Sequence, residues 1–180
     1  ADYNFGSMAR PLIGITTDTH PDGKQYESPY AYSIAVDKAG GIPVLLPYKM
    51  DLRGIPELVD RLDGIIFAGG SDLDPAAYGE KYEPDTVPID PLREKFDRAL
   101  MAEVEKRRTP TLGICLGSQL MNVYRGGSMH QFLPALDRSN AIEHRKTGGD
   151  AGRDGTGKIN RQEVFLEQDS LAAQAIGKTT

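Results

Sequence analysis

Cysteine, tryptophan and histidine are the residues that this 180-residue sequence uses least. It has one cysteine, no tryptophan and three histidines. A single cysteine cannot close a disulfide within the chain, and the N-terminal residues carry no secretory-signal pattern. We therefore expect a reducing, cytoplasmic environment.

Long hydrophobic runs and positive charge are also lacking. No apolar run approaches the roughly 20 residues that span a bilayer, so no membrane partner is predicted. The net charge of -5 argues against a wide phosphate-binding surface and hence against nucleic acid. The only basic cluster, Lys106 to Arg108, lies at the end of a predicted helix, where cations complement the helix dipole.

Short apolar runs alternate with helical patterns along most of the chain, which is typical of a parallel α/β sheet. We predict a doubly wound domain with a mostly parallel sheet. The strands expected in it are Leu12–Ile15, Ile42–Leu46, Ile65–Ala68 and Thr111–Ile114. We interpret residues 1–7 as a cloning remnant and residues 8–180 as one domain.

The helices predicted between these strands have recognisable ends and inner faces. Ser28 is expected to cap a helix that has Pro29 in its first turn. Its inner face is predicted to carry Tyr30 and Ile34, with Ala31 and Ala35 beside them. The longest helix, residues 91–108, is expected to bury Leu92, Phe96, Leu100 and Val104. A strand is expected at 164–166 and a short helix at 170–176.

The one cysteine lies in the stretch TLGICLGSQLMN, where an apolar run changes into a helical one. A nucleophile on a sharp strand-to-helix turn needs small neighbours, which Gly113 and Gly117 supply on either side of Cys115. The helix dipole favours the thiolate, which is the attacking form. A lone cysteine is more often a small buried hydrophobe, but the spacing and the following helix favour a nucleophile here.

Acyl transfer also needs hydrogen-bond donors for the oxyanion that forms on the substrate carbonyl. The N–H of Leu116, next after the cysteine, is one candidate, and the N–H of Gly70 is the other. Gly69 and Gly70 follow the third predicted strand, so they are expected at the same sheet rim as Cys115. Gln119, one helical turn after Cys115, could bind a polar group of the substrate.

At these residues the sequence resembles the class I glutamine amidotransferase-like superfamily, and within it the γ-glutamyl hydrolase branch, peptidase family C26. The matching segments are AGGIPVLLP at 39–47, LDGIIFAGGSDLDPAAYGE at 62–80, TPTLGICLGSQLMNVYRGGSMHQFL at 109–133 and EHR at 143–145. The resemblance implies a flavodoxin-like fold and no cofactor.

The resemblance also implies roles for particular residues. Cys115 is the expected nucleophile, Gly70 and Leu116 form the oxyanion hole, and Gln119 and Gly69 bind the substrate. The implied reaction is attack of Cys115 on the γ-glutamyl amide of a small polar substrate, followed by hydrolysis of a thioester. The acidic loop after Gly70 favours such a hydrolase over a glutaminase domain that delivers ammonia to a partner enzyme.

Two departures from the family pattern bear on activity. Leu116 stands where the family more often has arginine, although only the backbone of this residue is needed for the oxyanion. The family's closing segments, which carry a histidine and its orienting glutamate, are absent from the C-terminal part of the sequence. We therefore expect the chain as written to be inactive or nearly so, because the leaving amine lacks a proton donor.

The remaining histidines and carboxylates receive structural interpretations. His20, His130 and His144 do not occupy the place of the family's base, and His130 is assigned to a strand. Asp72 with Asp74, and Asp18 with His20 and Asp22, lack the ligand count and spacing of a metal site, so no metal is predicted. A non-catalytic binding protein with the same fold is the remaining alternative, and a homo-oligomer is left open.

Overall fold

The computed structural model describes residues 9–84, 86–131 and 164–177. The chain divides into two compact units, residues 1–136 and residues 137–180. The predicted remnant at 1–7 and the EHR segment with His144 lie outside the described residues. Whether residues 8–180 form one domain stays a prediction.

The described elements alternate between strands and helices as the sequence pattern predicts. In chain order they are β1 (Leu12–Thr16), β2 (Asp18–Thr19), β3 (Tyr26–Glu27), α1 (Tyr30–Lys38), β4 (Ile42–Leu46), α2 (Ile55–Val59), β5 (Gly64–Phe67), α3 (Pro91–Arg107), β6 (Thr111–Gly113), α4 (Leu116–Tyr124) and α5 (Leu171–Ile176). Single 3-10 turns at Leu52–Gly54 and Pro75–Tyr78 complete the regular structure that is described.

Four of the strands form one parallel sheet in the order β4-β1-β5-β6. This order, second-first-third-fourth along the chain, is that of the flavodoxin-like doubly wound fold, so the predicted fold class is confirmed. Pro43 lies in β4, at an edge of the described sheet, where a missing N–H costs no ladder bond. The pair β2 and β3 is antiparallel and was not foreseen.

Helices cover both faces of the sheet. On one face α2, α3 and α4 pack against Ile65 and Phe67 in the main core. On the other face Val36 and Tyr32 of α1 pack with Ile15 and its neighbours. On that second face Leu112 is 56% exposed, and an open groove lies beside it.

The predicted inner face of α1 is wrong. Tyr30 and Ile34 are exposed, as are Ala31 and Ala35, and Val36 is the residue of α1 that is buried. Ser28 does not cap the helix either: Pro29 is the residue before its first turn, and no side chain caps it. Since α1 is apolar around much of its circumference, spacing alone could not choose the buried side.

The long helix α3 begins as predicted but buries a different stripe. Asp90 caps it, its Oδ1 accepting a hydrogen bond from the Leu92 N–H at 2.9 Å. Leu92 is 54% exposed, which contradicts its assignment to the inner face, whereas Phe96 and the later members of the stripe are buried. Arg93 takes the inner place instead, and this charged residue is fully buried.

The described part of the second unit contains the predicted short helix. Ser170 caps α5 by accepting a hydrogen bond from the Ala173 N–H at 3.1 Å. The strand expected at 164–166 is wrong, because these residues have no regular structure. Across the described ranges, no helix has the length and apolar character that a membrane crossing demands.

Candidate active site

Cys115 lies at the apex of a sharp turn between β6 and α4. Its backbone has φ 53° and ψ -111°, a conformation that side chains other than glycine adopt at a cost. The side chain is exposed, and its thiol is free. A strained, exposed cysteine at the start of a helix matches the predicted elbow and does not match a buried structural cysteine.

The two glycines that flank the turn are required by close packing. A Cβ on Gly117 would lie 2.1 Å from the Phe67 carbonyl oxygen, so only glycine lets α4 approach β5 this closely. A Cβ on Gly113 would lie 2.7 Å from the carbonyl carbon of Gly117 and 2.7 Å from the backbone nitrogen of Ser118. The glycine spacing in the sequence therefore has the steric origin that the elbow interpretation gives it.

The Gly69-Gly70 segment lies next to the cysteine because β5 and β6 are paired. Phe67 is in register with Gly113, so Gly69 and Cys115 each follow two residues beyond the last paired positions. A Cβ on Gly69 would lie 3.6 Å from the Cys115 Cβ, and one on Gly70 would lie 2.7 Å from the Leu116 Cδ2. The structure thus brings four of the five predicted site residues together.

Two backbone donors, the N–H groups of Gly70 and Leu116, lie at this place. In the part of the chain that the structure describes, neither the Gly70 N–H nor the Leu116 N–H donates a hydrogen bond to protein. Unpaired N–H groups at a helix start can bind a negatively charged oxygen. The fifth predicted residue, Gln119, is exposed one turn along α4, and its own N–H donates to the Cys115 carbonyl at 3.1 Å.

The sequence interpretation missed the side chains that hold the Gly69-Gly70 segment. The Arg93 Nη2 donates to the Gly69 carbonyl at 2.9 Å, and the Tyr32 hydroxyl accepts from the Gly69 N–H at 3.2 Å. Arg93 also forms ion pairs with Asp18, at 2.7 Å, and with Asp97, at 3.5 Å. The sequence contained one signal for the burial of Arg93: this residue precedes Phe96, Leu100 and Val104 at helical spacing. It therefore fits the inner stripe of the helix, to which the prediction assigns Leu92.

Asp97 has a strongly altered proton affinity. Its side chain is 5% exposed, and burial raises its pKa to about 7 even though Arg93 favours the charged form. The nearby Asp18 and Glu94 carboxylates act in the same direction as burial. One buried cation therefore lies between two carboxyl groups, and burial makes the second of them, Asp97, hold its proton more tightly than a free aspartate does.

The raised pKa of Asp97 predicts how stability depends on pH. The folded protein holds this proton more tightly than the unfolded chain, so the free energy of unfolding should fall as the pH rises from about 4 to about 7 and then level off. Asp97→Asn is neutral throughout and should remove this contribution, which is about 4 kcal/mol for a pKa raised from its ordinary value to about 7. Urea denaturation across this pH range measures the difference.

The control for this prediction is Asp37→Asn, which alters an exposed carboxylate on α1 that pairs with Arg10. It should keep the wild-type dependence on pH, apart from a change common to all pH values. An Asp97→Asn protein whose stability falls with pH as steeply as that of the wild type would contradict the assignment.

His20 and Asp74, which the sequence singled out, have local partners. The Nδ1 of His20 lies 3.2 Å from Asp22 Oδ1 in a turn, and Asp74 caps the 3-10 turn at Pro75–Tyr78. His130 is exposed in an irregular segment, so its assignment to a strand is wrong. Over residues 9–84, 86–131 and 164–177, no group of three or more His, Cys, Asp or Glu could hold a metal ion.

Comparison with known proteins gives a family match over nearly the whole chain. The peptidase C26 family profile matches residues 11–180. A Mycobacterium tuberculosis protein provisionally named a glutamine amidotransferase is 33% identical over 95% of this chain and 54% of its own length. A Schizosaccharomyces pombe protein with the same provisional name is 38% identical over 69% of this chain and 46% of its own.

A relative with a more specific name is the γ-glutamyl-γ-aminobutyrate hydrolase of Escherichia coli O157:H7. It is 37% identical over 64% of this chain and 44% of its own length. The chain spans about half the length of the curated relatives it matches.

Proposed function

Because this chain belongs to the peptidase C26 family, we propose that the protein hydrolyses the γ-glutamyl amide bond of a small polar substrate. The observation that carries the proposal is the strained, exposed Cys115 beside two free backbone donors. The name of the Escherichia coli relative supports the substrate class. The proposed chemistry requires no cofactor.

In the first step the Cys115 Sγ attacks the γ-carbonyl carbon of the substrate. The carbonyl oxygen becomes an oxyanion, which the Gly70 and Leu116 N–H groups bind. Collapse of this intermediate breaks the carbon–nitrogen bond and leaves a γ-glutamyl thioester on Cys115. Attack of water on the thioester then releases glutamate and restores the thiol.

The amine must leave with a proton, so the reaction needs a general acid that later acts as a base for water. The resemblance assigns this part to a histidine and a glutamate in the family's closing segments. That the 180-residue chain alone is inactive stays a prediction. Parallel assays of this chain and of the full-length natural protein test it.

The proposed substrate class is tested by amine release from a matched panel. The full-length protein is incubated with γ-glutamyl amides, with the α-glutamyl isomers of the same amines, and with glutamine. We expect γ-glutamyl amides to be hydrolysed at least about tenfold faster than their α-isomers. The thiol and the oxyanion donors must both reach the same amide carbonyl, and the α-isomer carries its amide on the other carboxyl group of glutamate. Equal rates for both isomers would overturn the proposal.

A glutaminase that supplies ammonia to a partner is the second candidate, favoured by the names of the Mycobacterium and Schizosaccharomyces relatives. The same panel separates the two functions. A hydrolase prefers amides of larger amines and works alone. A glutaminase prefers glutamine and accelerates when its partner enzyme is added.

A further inference from the structure

Arg93 is a fully buried cation that reaches from α3 to the end of β5. Its Nη2 donates to the Gly69 carbonyl at 2.9 Å and lies 3.4 Å from the Ala68 carbonyl. A Cβ on Gly70 would be 2.4 Å from Nη1, so the guanidinium lies directly against the Gly69-Gly70 backbone. Burying a charge is costly unless the charge is paired and hydrogen-bonded. For Arg93 the partners are the Gly69 carbonyl and the carboxyl groups of Asp18 and Asp97.

The Gly69 carbonyl and the Gly70 N–H belong to one planar trans peptide, in which they point in opposite directions. A hydrogen bond that holds the carbonyl towards Arg93 therefore turns the Gly70 N–H away from Arg93. Leu116, the other proposed donor, packs beside Gly70, and Cys115 lies beside Gly69. The orientation of one peptide thus decides whether the Gly70 N–H is available at the thiol.

We propose that Arg93 is a positioning residue that fixes the Gly69-Gly70 peptide so that the Gly70 N–H can bind the substrate oxyanion. The inference rests on the proposed function, since it concerns the same oxyanion site. The cation also polarises the carbonyl that it binds, which makes the N–H of the same peptide a stronger donor.

Contacts on both sides make this arrangement rigid. Asp18, which follows β1, and Asp97, one turn further along α3, hold the guanidinium as ion pairs at 2.7 Å and 3.5 Å. From α1 on the opposite face, the Tyr32 hydroxyl accepts from the Gly69 N–H. Gly69 is therefore held at both its N–H and its carbonyl, and the next N–H along the chain is left free.

Lysine is the informative substitution at this position. It keeps the positive charge between the two carboxylates, but its ammonium is a compact group that cannot match the planar fork of donors. Arg93→Lys should therefore lower kcat for γ-glutamyl amides by about 10–100-fold, a loss comparable to or smaller than that of one oxyanion donor. KM should change by less than about threefold, because the interaction is made in the transition state.

The experiment uses the full-length protein and three readouts. Steady-state kinetics give kcat and KM, an aldehyde analogue of the γ-glutamyl group probes the oxyanion site, and methyl methanethiosulfonate probes thiol access alone. Aldehyde affinity should fall together with kcat, because the hemithioacetal oxygen occupies the same site. The thiosulfonate reaction forms no carbonyl oxyanion, so its rate should stay within about twofold of wild type.

Two further variants complete the test. Arg98→Gln removes an arginine of the same helix that pairs with Glu94 at 2.7 Å and is 30% exposed, and it should retain wild-type kcat. Asp18→Asn loosens the guanidinium without removing it, and should lower kcat about three- to tenfold with KM unchanged. Because Asp18 is partly exposed, this variant should fold even if Arg93→Lys does not.

The outcomes separate this inference from the proposed function. If the wild type is active and a folded Arg93→Lys variant has equal kcat, the inference alone is overturned. Where the lysine variant fails to fold, an Asp18→Asn variant with the kcat of wild type overturns it in the same way. Equal losses in hydrolysis and thiosulfonate labelling also overturn it, because they indicate general damage to the site. A wild type that hydrolyses no γ-glutamyl amide overturns the proposed function and this inference with it.

Discussion

Replacing Cys115 with alanine is expected to slow γ-glutamyl amide hydrolysis by the full-length protein at least about a thousandfold. The alanine has no group that can form the thioester, so only uncatalysed attack by water on the bound amide would remain. The proposed oxyanion donors are backbone groups and survive the change. Binding of the substrate should therefore be altered much less than the rate.

Stability is the control for the Cys115→Ala variant. The side chain is exposed, and alanine meets the same positive φ as cysteine, so the free energy of unfolding should stay within about 0.5 kcal/mol of wild type. Amine release and urea denaturation are measured on the same preparation. A folded variant that keeps more than about a tenth of the wild-type rate would exclude Cys115 as the nucleophile.

Gly117→Ala is expected to destabilise the protein by about 3 kcal/mol or more, or to prevent folding. The new Cβ would lie 2.1 Å from the Phe67 carbonyl oxygen and 2.7 Å from the Phe67 Cβ. The closest of these contacts is to backbone, which cannot move aside as the end of a long side chain can. Relief would require α4 to separate from β5, and Cys115 would move with it.

The matched control is Gly79→Ala. Gly79 has φ 80°, so alanine there carries backbone strain, but no atom lies within 4 Å of the new Cβ. The expected loss is about 1 kcal/mol, which is the cost of the conformation alone. Chemical denaturation of both variants compares the two costs. Equal losses would show that the close approach of α4 to β5 does not limit residue size at position 117.

The sheet and the elbow were predictable because their signals are local and agree with one another. Apolar runs placed β1, β4, β5 and β6, and the glycines around Cys115 indicated a turn that tolerates no side chains beside it. Because paired parallel strands end at the same rim of a sheet, the pairing of β5 with β6 is enough to place Gly69 next to Cys115.

The features that were missed depend on contacts distant in sequence. Arginine is rarely buried without a partner, and the partner Asp18 lies on β2, far from Arg93 along the chain. The spacing of α3 admits either Leu92 or Arg93 to the inner stripe, and the ion pair with Asp18 that favours Arg93 is not visible in the local pattern. The exposed side of α1 was mistaken for the buried one for a related reason, because apolar residues occur on both sides of that helix.

The same reasoning explains two errors at the edges of the pattern. The run Val164 to Leu166 is apolar enough for a strand, but three residues do not define a strand without a partner to pair with. His130 follows Gly126 and Gly127, where α4 has ended and the chain is irregular. Both assignments rested on composition alone, without a second signal.

The measurement that tests the central claim most directly is rapid acid quenching of the full-length protein during turnover of a γ-glutamyl amide, followed by peptide mass spectrometry. The account predicts a γ-glutamyl group on the tryptic peptide 109–125, attached to Cys115 and released by hydroxylamine. A γ-glutamyl adduct on another residue, or continued hydrolysis after methyl methanethiosulfonate has blocked Cys115, would contradict it.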